Sequence, residues 1–173
     1  QIEKGAVLLS VCGGYQLLQN YFQTIEGNKI DGIGIFDAYT KGSQQRMIGN
    51  LVISINQDLQ AQIPKSQNPN QTNHRLVGFE NHSGKTFLGN NTKPLGKVEK
   101  GFGNNGDDKT EGAIYKNAFG CYLHGSLLPK NPHFADFLIK KALERNYSNV
   151  VLKKLDDSVE SKAFNAAILK AEK

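Results

Sequence analysis

The feature that most constrains this chain lies near its start: the apolar run AVLLSV at positions 6–11, followed at once by Cys12-Gly13-Gly14 and then YQLLQNYF. A short apolar run rich in β-formers reads as a strand buried on both faces, as in parallel sheets. Beyond the glycines, residues 15, 17, 18, 21 and 22 are apolar, a spacing that predicts an amphipathic helix. Strand, glycine pair and helix together describe a nucleophile elbow, in which a reactive side chain stands above the sheet on a strained turn. Gly13 and Gly14 are expected to let the helix start close to the strand without a Cβ clash. Cys12 then faces the positive end of the helix, which favours its thiolate. The other reading of Cys12 is a buried structural cysteine before a glycine turn.

Further along, GIGIF (32–36) and MIGNLVISI (47–55) read as strands, and QIPKSQNPNQTN (62–73), polar with two prolines, as a surface loop. RLVGFENHSG (75–84) alternates weakly and ends at a turn. The stretch 101–112, rich in Gly, Asn and Asp, is an irregular connection, and 114–125 holds short strands that end at His124. Pro129 and Pro132 precede a helix over 133–146, and a second, more charged helix covers 157–170. The pattern is one α/β domain over residues 1–173 with added antiparallel pieces. A doubly wound sheet normally carries its nucleophile strand in the middle, after earlier β-α units. Here that strand comes first, so one or more such units are expected to be missing upstream.

With 38% hydrophobic and 21% charged residues the composition is that of a soluble globular protein. No run approaches the roughly 18–20 apolar residues of a membrane span, and QIEKGAVLLSV lacks the basic lead of a signal peptide, so a cytoplasmic location is expected. Two cysteines, Cys12 and Cys121, neither with a second ligand at zinc spacing, exclude a disulfide scaffold and a structural metal site. The net charge of +5 is spread along the chain and reads as a solvated basic surface, not a nucleic-acid interface. His124 stands at a strand end before Gly125, where it can serve a cysteine at the same sheet edge as proton acceptor. His82 shares strand parity with Glu80 and either lines the site or closes a turn. His74 and His133 read as surface residues, and Cys121 as core.

Several of these segments resemble the class I glutamine amidotransferases of the cobyric acid synthase type. Val11-Cys12-Gly13-Gly14-Tyr15-Gln16-Leu17-Leu18 is similar to that family's nucleophile motif, and Gly78-Phe79-Glu80-Asn81-His82-Ser83-Gly84 to its second signature. Gly103-Asn104-Asn105-Gly106, Lys109-Thr110-Glu111-Gly112 and the stretch from Tyr122 to Pro132 narrow the likeness to the glutaminase subunits of lipid II isoglutaminyl synthases. The resemblance runs from about residue 5 to about residue 143.

It implies a flavodoxin-like α/β domain with a mixed sheet, lacking its N-terminal β-α units, that hydrolyses L-glutamine to glutamate and ammonia. Cys12 would be the nucleophile, His124 the general base and Gly13 an oxyanion donor. Arg46 matches an arginine that helps hold glutamine, or simply flanks a strand. The implied partner is a MurT-type Mur ligase in a heterodimer near the inner face of the membrane. That ligase would use ATP and Mg2+, with no cofactor in this chain, to amidate D-glutamate of lipid II. Where many relatives have a glutamate two residues after the histidine, this chain has Ser126. The site therefore either works as a dyad or recruits another residue such as Glu80. The rival readings are a cobyric or cobyrinic acid amidotransferase domain and an inactive scaffold that binds the ligase.

Overall fold

The computed structural model describes residues 1–63 and 74–173; most of the loop expected over 62–73 lies outside the described residues. The apolar run becomes β1 (Leu8–Val11), and the glycine pair opens α1 (Gly13–Leu17). Next come β2 (Tyr21–Gln23), β3 (Lys29–Asp31), the long β4 (Ala38–Ile55), α2 (Gln57–Gln60) and the long β5 (Arg75–Leu88). β6 (Gly96–Lys100), β7 (Thr110–Glu111), β8 (Ala113–Tyr115) and β9 (Ala118–Cys121) follow, and the chain closes with α3 (Leu127–Lys130), α4 (Pro132–Glu144) and α5 (Ser158–Ala171).

The strands form two sheets. One has the order β1-β9-β8; the other runs β3-β2-β4-β6-β7, with β5 paired to β4. β1 runs parallel to β9, and β8 antiparallel to it. In the larger sheet β2 is parallel to β4 and the remaining pairs are antiparallel. The mixed-sheet α/β architecture expected from the sequence is what forms.

The turn expected at the end of 75–84 is absent, since β5 runs through Gly84 to Leu88 paired with β4, and two further expectations fail for tertiary reasons. The helix predicted over 15–22 stops after Leu17, because Tyr21–Gln23 pair with both β3 and β4. The strand predicted at 32–36 is absent: the amides of Ile33, Gly34, Ile35 and Phe36 go to the carbonyls of Leu17, Gln19 and Leu18. That segment satisfies the free carbonyls at the end of α1 instead of joining a sheet.

Consecutive residues Leu51, Val52 and Ile53 of β4 are all buried, which an antiparallel strand achieves only when both its faces are covered. Leu51, Ile53 and Leu76 pack with Phe119, Leu123 and the α4 residues Phe134 and Phe137. On the opposite face Val52 and Val77 meet Phe164 of α5. A smaller cluster of Tyr15, Phe36, Ala38, Ala113, Ala118 and Tyr122 lies under α1. Pro132 fits the first turn of α4, where its missing N–H costs nothing. The fully buried Asn131 accepts from Val77 N at 2.9 Å and donates to Val77 O and Leu127 O, clipping that helix to β5.

Candidate active site

The parallel register of β1 and β9 sets the site. Val11 pairs with Cys121, and the Cys12 amide donates to Cys121 O at 2.9 Å, so Cys12 leaves the sheet beside the residues that lead to His124. Cys12 has φ 54° and ψ −115°, a conformation that L-residues rarely hold without surrounding constraint. That is the strained elbow expected from the sequence. Its carbonyl accepts from Gln16 N at 3.0 Å, which ties it to the single turn of α1.

The role assigned to the glycine pair needs correction. A Cβ at Gly13 would meet nothing within 4 Å, and one at Gly14 only Ser10 Cβ at 3.8 Å, so neither is required by packing. The close approach falls instead on Gly120 of β9, where a Cβ would lie 2.1 Å from the Tyr15 ring. Tyr15 therefore lies directly on the β9 backbone. Gly13 is the first residue of α1, and the space around its Cα is open.

His124 is carried just beyond β9 by a two-way bridge to β5: its amide donates to Phe79 O at 2.8 Å, and the Phe79 amide to His124 O at 3.1 Å. The side chain is half-buried, and Nε2 is buried without a hydrogen-bond partner among the described residues. Burial, with a smaller contribution from nearby His82, lowers its pKa below the ordinary histidine value. A neutral imidazole with an unused nitrogen is what a proton acceptor requires. Gly125 and Ser126 follow in left-handed conformation, and Ser126 is exposed.

The second signature lies along β5, whose residues 80, 82, 84 and 86 face inward. His82 does not close a turn. It is buried in the strand, its ring stacked on Tyr122 with centroids 3.6 Å apart and planes 5° from parallel. Its Nδ1 lies 2.9 Å from Gly84 O, which must accept, so Nδ1 donates, while Nε2 has no hydrogen-bond partner among the described residues and lies 3.8 Å from Glu80 Oε2. Glu80 is fully buried and accepts from the amides of Phe102 at 2.7 Å and Gly103 at 2.9 Å. Its bonds hold the 101–106 loop, and its side chain reaches toward His82. Arg46 is exposed, in the irregular stretch of β4 between Gly42 and Met47, and donates from Nε to Asn81 Oδ1 at 2.8 Å.

Tyr122 joins these parts: its hydroxyl bonds Thr86 at 2.7 Å and accepts from Gln16 of α1 at 3.0 Å, so the elbow helix and the His124 segment share one buried polar network. Glu111, which sequence reasoning passed over, belongs here too. It is fully buried, and its Oε1 accepts the Tyr122 amide at 2.5 Å. In the sequence it stands within the Lys109-Thr110-Glu111-Gly112 motif, which carried the resemblance without giving the acid a role. His133, expected on the surface, is buried with Nε2 3.0 Å from Arg75 O, and burial lowers its pKa to about 4. Cys121 is buried, and its thiol pKa is raised by that burial. Both cysteines are free, and among the described residues no three His, Cys, Asp or Glu side chains converge as a metal site.

Residues 1–132 match the family described as the CobB/CobQ-like glutamine amidotransferase domain. The chain is 39% identical over 170 residues to the subunit GatD of a glutamine-hydrolyzing lipid II isoglutaminyl synthase from Staphylococcus aureus, covering 98% of this chain and 63% of that one. It is 39% identical over 147 residues to the Streptococcus pneumoniae protein of the same name, covering 84% and 51%. A probable cobyric acid synthase of Methanococcus maripaludis is 32% identical over 174 residues, covering 95% and 31%. The chain thus spans less than two thirds of the length of these relatives. A solved glutamine amidotransferase from Thermotoga maritima covers 98% of the chain at a TM-score of 0.43 and 18% identity.

Proposed function

Because this chain belongs to the CobB/CobQ-like glutamine amidotransferase family, we propose that it hydrolyses L-glutamine to glutamate and ammonia at Cys12. The observation that carries the reading is the strained Cys12 elbow on a strand paired in parallel with the one that leads to His124. Cys12 gives its thiol proton to His124 as Sγ attacks the side-chain amide carbon of glutamine. The tetrahedral oxyanion takes a hydrogen bond from the Gly13 amide, a donor of a kind worth about 3 kcal/mol. When the C–N bond breaks, His124 returns the proton to the departing nitrogen, ammonia leaves, and a thioester remains. Water then attacks the thioester with His124 as base, releasing glutamate and restoring the thiol. Arg46, tied to Asn81 on the outer face of β4 and β5, is the proposed contact for the substrate's α-carboxylate.

The relatives support a subunit role. The ammonia would pass to a MurT-type Mur ligase that holds ATP and Mg2+ and amidates D-glutamate of lipid II, in the cytoplasm at the inner face of the membrane. No helix among the described residues is long and apolar enough to cross a membrane. Higher identity to the isoglutaminyl synthase subunits than to the cobyric acid synthases favours the cell-wall acceptor over a corrinoid one. The test is glutamate release from glutamine by the purified chain, alone and co-expressed with the ligase, beside Cys12→Ala. Release that the substitution abolishes is the expected result. Equal release from Cys12→Ala, or none from any preparation, would overturn the reading.

A further inference from the structure

We propose that Glu111 is a positioning residue for His124: its buried side chain takes the Tyr122 amide and turns the chain from β9 into the segment that carries the imidazole. The inference rests on the pairing of Cys12 with His124 proposed above.

The hairpin register shows why a side chain is needed at this point. β8 and β9 pair Ala113 with Gly120, and extending that ladder outward brings residue 111 opposite residue 122. The main chain of Glu111 is engaged elsewhere, since it pairs with Gly96 of β6 in the larger sheet. Gly112, at φ 65°, turns the backbone between the sheets, and its amide goes to Asn104 Oδ1 at 3.0 Å. The Tyr122 amide would lose its ladder partner inside the protein, and the Glu111 carboxyl replaces it. Glu111 thus belongs to one sheet by its backbone and to the other by its side chain.

Three successive residues are then fixed by three different contacts. Tyr122 is held by Glu111 at its amide and by Thr86 and Gln16 at its hydroxyl. Leu123, fully buried, lies over Gly78, where any Cβ would come within 3.1 Å of it. His124 is bridged to Phe79. Of the three, the Glu111 contact is the one made by a side chain to the backbone, so it can be removed without rewriting a strand. Its other oxygen, Oε2, is buried without a partner among the described residues. Burial, together with nearby Glu80, raises the carboxyl pKa to about 8, which favours the neutral acid. What the site needs from Glu111 is an accepting oxygen at Oε1, which a glutamine also supplies.

The experiment compares Glu111→Met, which fills the space without an acceptor, with Glu111→Gln, which keeps one. Two readouts are taken: kcat and KM for glutamine, and the pH profile of Cys12 alkylation by iodoacetamide, with His124→Ala as reference. Cys121 is fully buried, so the alkylation reports Cys12. Glu111→Met is expected to lower kcat by about tenfold or more with little change in KM, and to shift the alkylation profile toward that of His124→Ala. Glu111→Gln is expected to restore both. A wild-type profile and kcat in Glu111→Met, or a Gln variant as impaired as the Met variant, would overturn the positioning role. Should Glu111→Met fail to fold, Glu111→Leu takes its place with the same expected losses, and a shifted profile in Glu111→Gln still refutes the role. An alkylation profile indifferent to His124→Ala would instead remove the Cys12–His124 pairing, and with it the reading on which this inference rests.

Discussion

Replacing Gly120 by alanine tests how the nucleophile is held. The added Cβ would lie 2.1 and 2.6 Å from two carbons of the Tyr15 ring and 3.0 Å from Phe36 Cε2. Packed carbons stay about 3.5–4.0 Å apart, so the ring has to retreat by roughly 1–1.5 Å. Tyr15 has nowhere to go. It is fully buried, meets Phe36 and Tyr122 edge-on at 5.6 and 5.4 Å, and bonds Asn104 at 3.3 Å. Overpacking of this kind costs about 1–3 kcal/mol, a fall in melting temperature on the order of 2–10 °C for a chain of this size. Since Tyr15 belongs to the single turn that begins beside Cys12, the displacement reaches the thiol, and a shift near 1 Å can lower kcat by up to about 100-fold. Gly14→Ala is the control, because its Cβ meets only Ser10 Cβ at 3.8 Å. It should be neutral or stabilising by up to about 1 kcal/mol. Urea denaturation and glutamate release would be measured on both. A Gly120→Ala protein within about 0.5 kcal/mol of wild type and equally active would refute the account of the elbow's support.

The lowered pKa of His124 keeps the free base available at more acidic pH, so the acid limb of kcat/KM for glutamine should fall below the ordinary histidine value of 6.5; a limb above it counts against His124 as base. His133 has its folded pKa depressed to about 4 against 6.5 unfolded, so the stability it confers is complete above pH 6.5 and is lost as pH falls toward 4. That window corresponds to about 3 kcal/mol at most; pH-dependent denaturation of His133→Gln should show a flatter slope there, and an unchanged slope would contradict its burial. Glu80→Gln sets an amide donor against the Phe102 or Gly103 amide and should cost about 1–3 kcal/mol in urea denaturation. An unperturbed midpoint would mean that the carboxylate does not anchor the loop.

Whatever depends on near neighbours in the chain was legible from the residues alone. The apolar run before Cys12 forms β1, the alternation around Glu80 and His82 forms β5, and the helical spacing after Pro132 forms α4. Motif likeness also brought Cys12, His124, Glu80 and His82 into view, because each stands next to glycines or apolar residues in a recognisable order. The failures share a cause. Tyr21 and Phe22 have helical spacing but pair with β3 and β4, and residues 32–36 have strand composition but serve the carbonyls of α1. In both cases a long-range hydrogen-bonding demand outweighed a local propensity worth well under 1 kcal/mol per residue.

The sequence by itself determined that a cysteine would sit on a strained turn between a strand and a helix, since that turn needs only the residues on either side of it. Only the tertiary structure decided what surrounds that cysteine. Pairing β1 with β9 joins segments far apart in the chain, and Gly120 matters because Tyr15 lies on it. Glu111 matters because two sheets meet at its position, which leaves one buried amide for its side chain to satisfy. His133 reads as a surface residue, and Glu111 as one letter of a motif with no role of its own, until the neighbours that bury them are known, because burial is a property of the packed whole and not of the residue.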